Sequence, residues 1–116
     1  MIVLTDEQWD GLFDYVDETV TKAMDDLPEP VKTKACQIEV IVDKYQWPLD
    51  QWKNRKILGC YMSWTSGPIV IFAGQIYEDC NQDIDAAMAS VRQIYYHELA
   101  HAIGNLSEAE VKDRGL

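Results

Sequence analysis

The chain has 116 residues, the size of one domain with a single modest core. Twenty acidic against ten basic residues give a net charge of -10, which makes nucleic acid a poor partner, because phosphate contacts need Lys and Arg. No apolar run has the length of a membrane span. Met1 to Glu7 lacks the basic-then-apolar pattern of a signal peptide, so a cytoplasmic location is expected.

Thr5-Asp6-Glu7-Gln8 predicts a capping box, with Thr5 as N-cap and Gln8 at the third helical position. Leu4 and Trp9 flank it as a candidate hydrophobic staple. From there Trp9, Leu12, Phe13, Val16, Val20, Ala23, Met24 and Leu27 recur at intervals of three and four. Asp10, Asp14, Asp17, Glu18, Asp25 and Asp26 take the other face. The pattern predicts an amphipathic helix of about five to six turns, stopped by Pro28 and Pro30. Its acidic side reads as a solvated face. The excess negative charge would attract a cationic substrate or partner, although solubility is the simpler account of it.

Cys36 to Val42 is β-branched and partly alternating, and predicts a strand with Ile38, Val40 and Val42 on one side. Asp43 to Lys56 has no clean period and reads as a long loop. Its Tyr45, Trp47 and Trp52 are expected to close the core, the other role open to them being to line a groove. Ile57 to Met62 and Ile69 to Ala73 predict a hairpin turning through Trp64-Thr65-Ser66-Gly67-Pro68. Gly59 marks a bulge or a close backbone approach. Ile69-Val70-Ile71-Phe72 is continuously apolar, as a central strand buried on both faces would be. The first hairpin strand is then the exposed edge.

Gly74 to Asn81 reads as a connector, after which Asn81 or Asp83 caps a second long helix. Ile84, Ala87, Met88, Val91, Ile94, Tyr95 and Leu99 supply its core stripe, and it is expected to run to about Ile103. Gly104-Asn105 breaks it. Ser107 caps a short final helix, with Glu110 completing a second capping box. These elements make an α+β fold: an N-terminal helix, a small mixed sheet of about three to four strands, a long helix and a short C-terminal one. Cys36, Cys60 and Cys80 are odd in number and widely spaced. Buried free thiols are expected, not a disulfide framework or a Cys-based zinc site.

The long helix carries Tyr95-Tyr96-His97-Glu98-Leu99-Ala100-His101-Ala102-Ile103-Gly104, and His97 and His101 are the only histidines in the chain. Residues four apart on a helix share a face, so both imidazoles can reach one metal ion. Zinc takes nitrogen ligands in tetrahedral geometry, and a catalytic zinc keeps one position for water. Glu98, next to the first ligand, is placed to take a proton from that water. A catalytic zinc also asks for a third protein ligand. The Gly104 turn lets the chain fold back, and Glu108 is the first carboxylate after it. Capping the final helix is an equal claim on Glu108. Glu110, Asp113, and Cys60 or Cys80 if the hairpin passes close, are weaker candidates. Tyr61, Tyr95 and Tyr96 are candidates to stabilise an oxyanion, with core packing as their expected role.

Over almost its whole length the chain resembles the small bacterial zincin-like proteins known as minimal metallopeptidases. The resemblance rests on His97-Glu98-Leu99-Ala100-His101 followed by Gly104, an HExxHxxG pattern. It extends to the acidic first helix ending near Leu27-Pro28, to Leu58-Gly59-Cys60-Tyr61, to the apolar strand Ile69–Phe72 and to the acidic tail. It implies a zincin fold of one lobe, with zinc held by His97 and His101, Glu98 as general base and a peptide or protein as substrate. The family places an Asp three residues after the glycine, where this chain has Ser107. With Asn105 taken as a one-residue insertion, Glu108 falls at the ligand position. The resemblance also makes the strand around Cys60 to Met62 the antiparallel edge beside the cleft, where a peptide could add as an extra strand. The competing expectation is a zincin-like binding module with a structural or vestigial metal site.

Overall fold

The capping box forms as the sequence predicts, and it starts the first helix, α1 (Asp6–Asp25). Gln8 N donates to Thr5 Oγ1 at 3.2 Å and Thr5 N donates to Gln8 Oε1 at 2.8 Å. In this computed structural model, which describes residues 1–63 and 67–104, α1 is followed by α2 (Val31–Ala35) and β1 (Val40–Asp43). A 3-10 turn (Asp50–Trp52), β2 (Gly59–Tyr61), β3 (Ile69–Phe72), α3 (Ala73–Asp79) and α4 (Ile84–Gly104) complete the order.

The three strands form one mixed sheet in the order β1-β3-β2. β3 is central, parallel to β1 and antiparallel to β2, with Val40 opposite Ile69 and Cys60 opposite Val70. All four β3 residues are buried, which accounts for the unbroken apolar run. Successive side chains point to opposite faces, and the core divides accordingly. Ile69 and Ile71 join Trp9, Leu12, Val16 and the α4 residues Val91, Tyr95 and Leu99 in the main cluster. Val70 and Phe72 face the other way, into a smaller cluster with Trp52 and Met62. Each large apolar side chain so buried contributes about 1.5–3 kcal/mol.

The loop aromatics close that second cluster. Trp47 and Trp52 each meet Phe72 edge-on, with ring centroids 5.9 and 5.8 Å apart. Asp43 Oδ2 accepts from Trp47 Nε1 at 2.9 Å, so the indole has its polar partner. Gln46 braces the end of the loop: Nε2 donates to Arg55 O at 2.8 Å and Oε1 accepts from Ile57 N at 2.8 Å.

On the opposite side α1 lies against α4. Tyr96 Oη donates to Ala23 O at 2.6 Å. Arg92 reaches Asp26 Oδ2 at 2.8 Å, and its guanidinium sits 5.1 Å from the Tyr96 ring centroid.

Several expectations need correction. The connector predicted over Gly74 to Asn81 is helical at Ala73–Asp79 and follows β3 without a break. Ile76 anchors α3 in the core, and Asn81 and Gln82 take left-handed φ values of 53° and 60° to turn the chain into α4. Asp83 is the cap of α4: its Oδ1 accepts from Asp85 N and Ala86 N. The strand expected from Cys36 begins at Val40, because α2 occupies Val31–Ala35 and Cys36 ends it. Cys36 is exposed, and Cys60 and Cys80 are half-buried, so the thiols are not core residues; all three are free. No helix among the described residues is long and apolar enough to cross a membrane. The predicted final helix, with Ser107 and Glu110, lies outside the described residues.

Candidate metal centre and its groove

α4 delivers the two histidines as the four-residue spacing requires. Their ring centroids are 5.1 Å apart, with the planes at 72°. Zn–N bonds of about 2.0–2.1 Å ask for two ring nitrogens within roughly 4 Å of each other, a separation that imidazoles with centroids 5.1 Å apart can reach by side-chain rotation. The donor set therefore fits a borderline-soft ion such as zinc. Glu98 is only 8% exposed, with Oε2 4.0 Å from His97 Nε2. Phase explains this placing. Val91, Tyr95 and Leu99 take the α4 stripe into the core, and Glu98 sits at its margin where the helix passes β2.

His97, Glu98 and His101 open together onto a groove of about 750 Å³ between the last turns of α4 and the β2 edge. Two contacts set the alignment of its walls. Gly59 stands so close to α4 that a methyl added to it would lie 2.6 Å from Ile94 Cγ2. Three residues before Gly59, Lys56 is tied at 2.7 Å to Asp79, which ends α3 just ahead of α4. β2 and α4 therefore advance in the same sense along the groove. Gly59 marks the close approach expected of it. β2 has β3 as its sheet partner on one side, and its other edge borders the groove, as expected of the first hairpin strand.

Cys60 lines this groove, as the hairpin geometry allowed, and Cys80 does not. Burial, with the Glu98 charge adding to it, pushes the Cys60 thiol up to about 11, and its Sγ lies 3.6 Å from Met62 Sδ. Among the described residues no group of three His, Cys, Asp or Glu is assembled to hold a metal. Glu108, Glu110 and Asp113, the carboxylates considered as third ligand, lie outside the described residues. Of the three tyrosines considered for an oxyanion, only Tyr61 borders the groove. Tyr95 is 1% exposed in the core, where burial pushes its hydroxyl up to about 12. Tyr96 is committed to Ala23.

Sequence reasoning did not find the far end of the groove, which is walled by Trp52, Arg55 and Lys56 on one side and Ser90 and Gln93 on the other. The loop aromatics were the available signal. Trp52 fills both roles considered for them, core and groove wall. Compared with family models and with curated proteins, the chain matches none.

Proposed function

We propose that this protein is a zinc-dependent metallopeptidase built as a single zincin-like lobe. One observation carries the reading: the two imidazoles stand side by side with the shielded carboxylate of Glu98 between them in sequence, all three facing one groove along a strand edge. The mixed sheet with an antiparallel edge strand beside the HExxH helix agrees with the zincin resemblance.

His97 and His101 would hold the metal, with Glu108 as the proposed third ligand. Zinc held there would supply Lewis-acid chemistry and a water of near-neutral pKa. Glu98 accepts the attacking water's proton and returns it to the leaving amine. The walls of the groove keep Glu98 largely shielded from bulk solvent, which strengthens its electrostatic effect at the reacting atoms. The outer edge of β2, which no strand among the described residues pairs with, would hold the peptide as an added strand.

The test is Glu98→Gln. Zinc content is expected to stay near one per chain while hydrolysis of a broad peptide library disappears. Hydrolysis unchanged by Glu98→Gln refutes the mechanism, and wild-type protein that takes up no zinc refutes the metal centre. The second reading is a zincin-like binding module that holds a peptide along the antiparallel edge strand β2. It predicts peptide retention without cleavage, and folding that survives chelation.

A further inference from the structure

The groove has two chemically different ends. One carries His97, Glu98 and His101; the other is walled by Arg55 and Lys56, two cations in a chain of net charge -10. The cationic segment is held in place. Asn54, at φ 63°, turns the chain immediately before Arg55, and Gln46 fixes the Arg55 carbonyl at 2.8 Å. Lys56 Nζ is tied to Asp79 Oδ1 at 2.7 Å. The Arg55 side chain is exposed and has no ion-pair partner among the described residues. Lys56 is thus largely neutralised by Asp79, and Arg55 is the cation that can accept a carboxylate, for which its planar fork of N–H donors is suited.

The separation of the two ends can be bracketed. From Ser90 to His97 the helix rises about 10 Å at 1.5 Å per residue. From Arg55 to Cys60 the chain spans at most about 17 Å. An extended peptide at about 3.3 Å per residue covers those distances in roughly three to five residues. Direction follows from pairing. β2 runs from the cationic end toward the histidines, and an antiparallel peptide, the slightly more stable pairing, runs from the histidines toward the cationic end.

We infer that the Arg55–Lys56 end of the groove selects peptides bearing a carboxylate about three to five residues after the bond to be cut, from an acidic side chain or a free C-terminus. The position of the bond rests on the peptidase reading; the preference for a carboxylate does not. Local charge here opposes that of the whole chain, so the cationic substrate suggested by net charge is not the one this groove favours.

The experiment uses randomised decapeptide libraries, one with amidated and one with free C-termini, presented in excess zinc to the Glu98→Gln protein. Wild-type protein digests the same libraries and the cut sites are sequenced. Retained peptides are expected to carry Asp and Glu over Asn and Gln by about fivefold, the upper range for an exposed ion pair. Adding Arg55→Glu to the Glu98→Gln protein is expected to abolish that bias or turn it toward Lys and Arg. Enrichment confined to the free-C-terminus library supports the proposal and identifies the terminal carboxylate as the ligand. No acidic bias, a bias unchanged by Arg55→Glu, or retention of no peptide overturns it. An Arg55-dependent bias without any cleavage supports the carboxylate preference and refutes the peptidase reading alone.

Discussion

Gly59→Ala tests the junction on which the groove is built. The added methyl would stand 2.6 Å from Ile94 Cγ2 and 3.1 Å from Val70 O. Carbon pairs rest at about 3.5–4.0 Å, so the first contact is compressed by roughly 1 Å. Neither neighbour yields easily. Ile94 Cγ2 hangs from the branched Cβ of a residue held to one dominant helical rotamer, and Val70 O belongs to the backbone of the central strand. Overpacking of this kind costs about 1–3 kcal/mol. In a protein of this size each kcal/mol lowers the melting temperature by about 4–8 °C. Urea unfolding of Gly59→Ala, Ile94→Ala and the double variant forms a closed cycle. Because Ile94→Ala removes the obstructing methyl, the double variant is expected to be at least about 1 kcal/mol more stable than the sum of the single losses. Additive losses would refute the claimed contact between β2 and α4, and with it the alignment of the groove walls.

Gly11→Ala is the contrasting case. A methyl there meets nothing within 4 Å in the interior of α1, so urea unfolding should show a gain of about 0.5–1 kcal/mol, and a loss would mean the site is not open. Thiol labelling at pH 8, followed by peptide mapping, should modify exposed Cys36 well before Cys60, whose thiol is held protonated up to about 11; Cys60 reacting first would contradict its burial. Alkaline titration should lower stability. The folded thiol of Cys60 stays neutral to about 11 from an ordinary 9.0, and the hydroxyl of Tyr95 to about 12 from 10.0. Between each pair of values the unfolded chain loses its proton first, so stability is full below about pH 9 and falls as pH rises beyond it. Unfolding curves that do not change between pH 8 and 11 would show that neither group is shielded.

The sequence carried the parts of the fold that have a period or a named cap. α1 announces itself through Thr5, Gln8 and a stripe from Trp9 to Leu27, and α4 through its own stripe and Asp83. The unbroken run Ile69–Phe72 gave away the central strand. Short elements escaped because they have no room to show a period. α3 has seven residues with a glycine second, and only its contact with the core makes it a helix. α2 sits in a lysine-rich segment directly after two prolines, and its helical residues crowd out the start of the expected strand. At the site, His97 and His101 were legible because they share one helix face, and Glu98 because it directly follows the first of them. Arg55 and Lys56 were not, since they approach α4 only after the chain has passed round the second cluster of aromatics.

Tyr96, the residue immediately before His97, ends its side chain on the carbonyl of Ala23, 73 positions earlier. The turn that presents the histidines is therefore propped from behind by the opening segment of the polypeptide. A short peptide containing only the HExxH sequence would lack that prop and could not keep its imidazoles in register. Grafting the motif onto another scaffold would need a substitute for the buttress as well as for the ligands. Under the proposed metal centre, loss of the first helix should abolish metal uptake as surely as loss of a histidine, although the two are far apart in the sequence.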